Sequence, residues 1–477
     1  MNRNSVFVTT ALLPLFVLMS GCAPMHDDRQ SLSQQTPAAN VDTTLPAALK
    51  NGWPDSQWWK AYHDPQLNAL IDSTLRNSPD MQVAEQRIQL AEAQAKAVEA
   101  QDGPEIDFSA DVERQKMSAE GLMGPFATDL DGNTGPWYTN GTFGLTAGWN
   151  LDLWGKNRAE VTARIGAVKA REAEREQTRQ LLASGVSRLY WEWQTQAALK
   201  TVLTQIETEQ QNVITVDRQL YQNGLTSSVE GVETDIDSSK TEQQLNDVSG
   251  KMKVIEARLS ALSNSQSVAL KLHSTKLPVV ESQLPPQLGY SLLARRPDLQ
   301  AAHWYIESSL SSIDAAKAAF YPDVNLMAFL QQDALHLSDL FRHSAQQMGV
   351  TAGLTLPIFD SGRLNANLDI TKAKSNLTVA NYNKAVVDAV NDVARAASQV
   401  ETLAQKNQHQ QQIEHDAQRV VGLAQARFNA GIIAGSRVSE AKIPALREQC
   451  NGLLLQGQWL DASIQLTSAL GGGYHAS

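Results

Sequence analysis

Few side chains in this 477-residue sequence are spaced to do chemistry. Glu172, Glu174 and Glu176 could pair as acid and base, but they alternate with Arg171, Arg175 and Arg179 at spacings that make ordinary ion pairs on a helix. His409 and His415, six apart in a Gln-rich polar stretch, read as solvated side chains rather than metal ligands. Gly-x-Ser-x-Gly, His-Glu-x-x-His, a Walker loop, Cys-x-x-Cys and a dinucleotide glycine pattern are all missing, so no catalytic centre, cofactor or metal is expected. The cysteines are Cys22 and Cys450. Cys450 falls in a helical pattern and reads as a small packed residue.

Cys22 is different. Arg3 gives a short positive start, and Val6 to Met19 form an apolar run too short to span a bilayer as a helix. Ser20-Gly21-Cys22 then resembles the lipobox of bacterial lipoproteins, although Met19 stands where a Leu is usual. The resemblance implies that residues 1–21 are a signal peptide and that Cys22 carries lipid. That would leave Cys450 without a disulfide partner. Ala23 follows in place of an Asp, which leans towards the outer membrane.

Hydrophobic residues make up 42% of the chain, charged residues 19% and aromatics 6%. Ala and Gln are frequent, which suits thin polar helices better than a thick core. A net charge of −11 argues against nucleic acid as a partner. After Cys22 no apolar run reaches about twenty residues, so any membrane crossing must be made by strands.

The chain is duplicated. Pro79-Asp80-Met81-Gln82 recurs 218 residues on as Pro297-Asp298-Leu299-Gln300, and Pro104-Glu105-Ile106 as Pro322-Asp323-Val324. Thr146-Ala147-Gly148 returns as Thr351-Ala352-Gly353, and Tyr221-Gln222-Asn223-Gly224 matches Phe428-Asn429-Ala430-Gly431. A lead-in segment, 22–66, is expected to form an extended tether. The repeats then span 67–262 and 291–470, with a Pro-containing linker at 263–290 and a flexible Gly-rich tail at 471–477. Each repeat reads helix, strand, loop, strand, long helix, turn, helix. Leu67 to Ala100 has helical spacing. Arg158 to Tyr221 and Arg363 to Ala430 lack proline and would each run roughly 100 Å as helix. The hairpin tips are expected at 223–227 and 430–436, where Gly224 and Gly431 suit a helix stop.

Strict alternation marks strands at 105–113, 142–153 and 348–358. A fourth, 323–331, is blurred by Met327 and Phe329 on its polar face. Such strands suit a soluble half-buried sheet or a membrane barrel. Their lengths, long polar loops and the bracketing aromatics Trp137, Tyr138, Trp154 and Phe359 favour the membrane. Four strands cannot close a barrel, and an open edge in lipid leaves backbone groups unsatisfied, so several copies must pool their strands. Two copies would give eight strands and three would give twelve. A coiled-coil spacer lipoprotein would share the long helices and the anchor, but not the amphipathic strands.

Leu293-Ala294-Arg295-Arg296-Pro297-Asp298-Leu299 and Leu356-Pro357-Ile358-Phe359-Asp360-Ser361-Gly362-Arg363 resemble signatures of the TolC-like outer-membrane efflux proteins, most of all the lipidated OprM-type branch. Trp58-Trp59 and Asp64-Pro65-Gln66-Leu67 resemble that family's N-terminal lead-in. The similarity covers about residues 45 to 470. It implies a mainly α chain with a membrane β-barrel part. Three copies would form a trimeric 12-stranded barrel joined to a long periplasmic α-helical barrel. The expected partners are further copies in a homotrimer, a periplasmic adaptor, an inner-membrane pump and outer-membrane lipid. Drug efflux is the expected role, and protein secretion uses a similar duct. By the same resemblance, the adaptor docks at the tips, on Asn223, Gly224, Leu225, Thr226, Ser227, Gly431 and Ile432. The constricting acid falls on Glu440, with Glu233 as its first-repeat equivalent. The residues themselves leave Glu440 equally readable as a solvated charge. The chain departs from the family at Ser436, Ile443 and Pro444, and Pro444 should kink or restart its helix.

Overall fold

The computed structural model describes residues 25–26, 29–35, 49–50, 52–116, 118, 137–225, 227–265, 271–279, 282–283, 285 and 289–475. Cys22 and Thr226 lie outside the described residues, as does most of the first inter-strand loop. In chain order the elements are β1 (Leu49–Lys50), α1 (Pro65–Asn77), α2 (Pro79–Glu99), β2 (Glu105–Lys116), β3 (Trp137–Leu151), α3 (Lys156–Gln222) and α4 (Ser228–Leu262). The second half follows with β4 (Ser282–Gln283), α5 (Gly289–Arg295), α6 (Pro297–Ala318), β5 (Asp323–Ala334), β6 (Gln346–Thr355), α7 (Arg363–Asn429) and α8 (Gly435–Ala469).

The chain divides into two compact units. One comprises Met1–Ser33, Gln89–Lys169 and Trp304–Val379. It holds a four-stranded sheet of order β2-β3-β5-β6, antiparallel at every pairing. Ile313 and Ala316 of α6, with Phe320 just beyond its end, bury against Leu364 and Leu368 of α7 in this unit. Small residues bring α6 close to α3 there. The Ser308 hydroxyl donates to the Ala163 carbonyl at 2.7 Å, and a Cβ on Gly166 would lie 3.1 Å from Ser308.

The other unit comprises Gln34–Ile88, Ala170–His303 and Ala380–Ser477. Its core gathers Trp58, Trp59, Leu67, Ile71, Tyr190, Trp191, Leu259, Leu460 and Ile464. Asp64 caps α1 by accepting from the amides of Gln66 and Leu67, and it also accepts a hydrogen bond from the Tyr190 hydroxyl at 2.7 Å. Burial and the adjoining Asp64 push the Tyr190 hydroxyl up to about 12. Cys450 packs beside Leu199, Leu203, Ile206 and Val248, and burial pushes its thiol up to about 11.

Several elements differ from the sequence reading, each for a physical reason. The helix expected from Leu67 to Ala100 breaks at Ser78, whose backbone is extended (φ −60°, ψ 133°) because Pro79 disfavours a helical conformation before it. The second repeat breaks at its matching position, between Arg295 and Pro297. Strand pairing outlasts the hydrophobic alternation. β2 and β3 continue to Lys116↔Trp137, since ladder bonds do not require apolar side chains. β3 and β6 stop earlier than expected, at Leu151 and Thr355, the latter just before Pro357. The linker is not wholly irregular, because β4 pairs in parallel with β1. The helix containing Pro444 does not restart; α8 runs unbroken through it.

The glycine tail is also a correction. Gly471 and Gly473 are buried rather than flexible, with φ of 96° and 78°. A Cβ on Gly471 would lie 1.9 Å from the Arg295 carbonyl oxygen, and one on Gly473 would lie 2.0 Å from that of Asp55. Glycine is needed twice over here, for positive φ and for close backbone approach. Gly471→Ala and Gly473→Ala are each expected to destabilise this unit by about 1–3 kcal/mol, read as a lower thermal midpoint in detergent.

Candidate functional site

The sheet has two chemically distinct faces, fixed by register. Phe108 pairs with Leu145, Leu145 with Leu330, and Leu330 with Met348, so one row crosses all four strands. Ile106, Ala147, Ala328 and Val350 form the next row, with Trp149, Leu326 and Ala352 beyond it. These side chains stand in the open: Val350 is 81% exposed. Over the ten steps from Gly141 to Leu151, a strand tilted as barrel strands are covers about 25 Å along the barrel axis. A soluble sheet would bury this face.

The opposite face carries Glu105, Asp107, Asp111, Glu113, Asp323 and Asp333, with no Lys or Arg among the described strand residues on that face. Met327 and Phe329, which blurred the alternation, belong to this face. Phe329 lies over Gly349, where a Cβ would come within 2.8 Å of its ring, so a missing side chain on β6 accommodates a large one on β5. β2 and β6 are each paired on one side, and they run in opposite directions.

Aromatics mark both ends of the strands. Trp154 stacks on Tyr321 at 5.2 Å and donates its indole N–H to the Pro322 carbonyl at 2.7 Å. Phe359, the second aromatic expected near this end, is 86% exposed. At the far end of β3, Trp137 is exposed with the Arg114 guanidinium 5.7 Å above its ring, and Phe143 packs on Phe341. Tyr138 begins β3 beside Trp137 and pairs with Gln115. The sequence reading missed Tyr321 and Phe341. Tyr321-Pro322 directly before β5 was the available signal for the first.

In the other unit, two helical hairpins end alike. Leu225 N–H donates to the Leu220 carbonyl and Gly224 N–H to that of Tyr221; 207 residues on, Ile432 donates to Arg427 and Gly431 to Phe428. Gly224 and Gly431 both have φ of 71°, the left-handed cap that closes a helix with paired 6→1 and 5→2 bonds. Asn223 adds a side-chain bond to the Gln219 carbonyl at 2.7 Å. Leu225 and Ile432 are exposed at the tips, and Ser227 precedes α4 with an extended backbone.

Glu440 is half-buried on α8 and pairs with Arg437 one turn back at 2.6 Å, while Glu233 is exposed on α4. The cross-hairpin ties use other residues, unseen in the sequence because their partners lie more than 200 positions apart. Lys442 reaches Glu209 at 2.8 Å, and Arg447 reaches Asp237 at 3.5 Å. Burial pushes the Glu209 carboxyl up, but hydrogen bonds from Lys442 and Ser439, the Lys442 charge and Asn212 outweigh it and hold the group below its ordinary range.

Outer membrane efflux protein is the family whose pattern matches residues 70–265 and 288–472. The chain belongs to that family. It is 80% identical over 476 residues to the multidrug resistance outer membrane protein MdtQ of Escherichia coli O157:H7, covering 99% of this chain and 100% of that one. It is 35% identical to MdtP of E. coli K12, covering 100% and 98%. Among solved structures, the Campylobacter jejuni CmeC outer membrane channel matches with a TM-score of 0.82 at 21% identity, over 93% of this chain and 95% of that one. VceC of Vibrio cholerae matches with 0.76 at 26% identity, over 88% and 100%. The fold is therefore the TolC-like one, and this efflux protein serves in the outer membrane as a conduit. No described helix is long and apolar enough to cross a membrane.

For this efflux protein the Lys442–Glu209 tie has a definite pH sense. A carboxyl held low in the folded state stabilises it above the unfolded value, roughly 4.3, and that contribution disappears as pH falls through the folded value. Lys442→Met leaves a half-buried carboxylate unpaired, a cost of about 1–2 kcal/mol at pH 7. Thermal unfolding followed from pH 7 to 3 should show the variant losing less stability on acidification than the parent.

Proposed function

We propose that three copies of this chain join β6 of one to β2 of the next, closing a twelve-stranded barrel that passes drugs or other small toxic compounds outward. The single observation that carries this reading is a sheet with an exposed apolar face and two unpaired edges. In hydrocarbon each unsatisfied backbone group costs several kcal/mol, so a spanning sheet must close on itself. Because β2 and β6 run in opposite directions, head-to-tail joining keeps every pairing antiparallel. Twelve strands leave a lumen wider than the side-chain-filled interior of eight.

The apolar face meets lipid and the acidic face lines the lumen. Trp137, Tyr138, Trp154 and Phe359 sit at the two interfaces, and lipid on Cys22 anchors the N-terminus. The exposed tips around Asn223–Ser227 and Gly431–Ile432 receive a periplasmic adaptor, which links the conduit to an inner-membrane pump that supplies the energy. Glu440 and Glu233 contribute carboxylates near the periplasmic mouth, where converging negative charge favours cations. The Arg218–Asp235 and Arg447–Asp237 pairs that tie the helices are exposed and worth about 0–1 kcal/mol each. Weak ties of that size suit helices that must be moved apart. The names of the relatives, both multidrug resistance outer membrane proteins, support the cargo class.

Reconstitution in a planar bilayer tests conduction. Under a tenfold KCl gradient the channel should show a cation-selective reversal potential. Glu105→Gln, Asp107→Asn, Asp111→Asn and Glu113→Gln combined should move it towards zero. Absence of discrete conductance steps from properly folded protein would refute the conduit. Deleting the gene should raise susceptibility to a panel of toxic compounds by severalfold, and unchanged susceptibility would argue against this cargo.

A further inference from the structure

The segment that leads back to Cys22 lies along a helix, held by a row of asparagines. His26 N–H donates to Asn365 Oδ1 at 3.0 Å, and Leu32 N–H donates to Asn376 Oδ1 at 3.0 Å. Asn376 also donates its Nδ2 to the Gln30 carbonyl at 3.0 Å, so one amide both gives to and takes from the backbone, as a neighbouring strand would. Gln35 N–H repeats the contact on Asn383 at 2.7 Å, and Arg29 lies 3.8 Å from Asp369. The asparagines are spaced 11 and 7 residues apart on α7. Both spacings are close to whole numbers of turns, which sets the three on one face.

The two chains keep pace. The six steps of chain from His26 to Leu32 can reach about 20 Å, enough for the roughly 17 Å of the eleven helical steps from Asn365 to Asn376. Leu32 to Gln35 and Asn376 to Asn383 both span about 10 Å. An exposed extended chain gives up backbone freedom when it is fixed. Exposed ion pairs such as Arg29–Asp369 offset little of that. The amide row is what the geometry supplies to hold it.

We propose that Asn365, Asn376 and Asn383 form a docking track for residues 25–35, which turns the N-terminal segment from a loose tether into a strap that sets where the anchor meets the membrane. Strap and α7 run in the same direction, so tracing the chain back from His26 leads towards the start of α7 at Arg363, the end of that helix that follows β6. Cys22 is four residues from His26 and stands within about 14 Å of it at full extension. The lipid is thereby confined to the helix-side end of the sheet, near Trp154, Tyr321 and Phe359, the aromatics assigned above to that interface. The location of the lipid rests on the lipidation of Cys22 proposed above; the track itself does not.

Trypsin cleavage after Arg29 tests the strap in the full-length protein purified in detergent. Cleavage of the parent should be at least tenfold slower than that of the Asn365→Ala, Asn376→Ala, Asn383→Ala variant. Asn376→Asp keeps the acceptor and removes the donor, so it should be cut at least threefold faster than the parent. This near-isosteric change decides the matter if the triple variant fails to fold. Equal rates for the parent and Asn376→Asp, or for the parent and a folded triple variant, would overturn the track. The mass of the released fragment ending at Arg29 reports acyl chains separately. An unacylated fragment from protected protein would remove the lipid reading and leave the strap standing.

Discussion

Backbone hydrogen bonding in a medium without water governs this chain. The sheet presents unpaired N–H and C=O groups along one side of β2 and one side of β6, and lipid offers them no partner. Pairing between copies would satisfy both edges at once, because the two strands already run in opposite senses. The other features of the sheet follow from the same solvent. Apolar rows cross all four strands on one face, carboxylates collect on the other, and aromatics with polar edges stand at the strand ends. Trp154 and Trp149 each give an indole N–H to a nearby carbonyl, as amphipathic rings at a wet boundary do.

The helical unit answers a different demand. Its core is concentrated around Trp58, Trp59, Tyr190 and Trp191, and its closest fits are backbone to backbone, at Gly471 and Gly473. Towards the tips the apolar packing gives way to exposed charged ties such as Arg218–Asp235 and polar ones such as Thr234–Asp217. Packing of the first kind resists deformation, since a buried misfit costs kilocalories. Exposed ion pairs separate at little cost.

Much of this was legible in the sequence because the duplication states each feature twice. The 218-residue recurrence of Pro79 at Pro297 aligned the two repeats, and the matched glycines Gly224 and Gly431 located both tips with the same cap. The signal failed where one side chain serves two contexts. Ser78 looked helical by composition, but the following proline decides its backbone. Gly471-Gly472-Gly473 looked flexible because glycine is equally the residue of close approach, and Arg295 and Asp55 are too far away in sequence to reveal that. Phe329 broke the alternation until its partner Gly349 was known. Lys442 and Arg447 found their carboxylates on the other hairpin, a pairing no local pattern encodes. The asparagine track was invisible for the same reason, since its spacing acquires meaning only when a strand lies across it.

Closure between copies is the claim on which the account stands. Native mass spectrometry of the protein released from lipid nanodiscs counts chains per particle directly. The account predicts particles of three chains. A folded, bilayer-inserted particle of one chain, its sheet edges still unpaired, would contradict it.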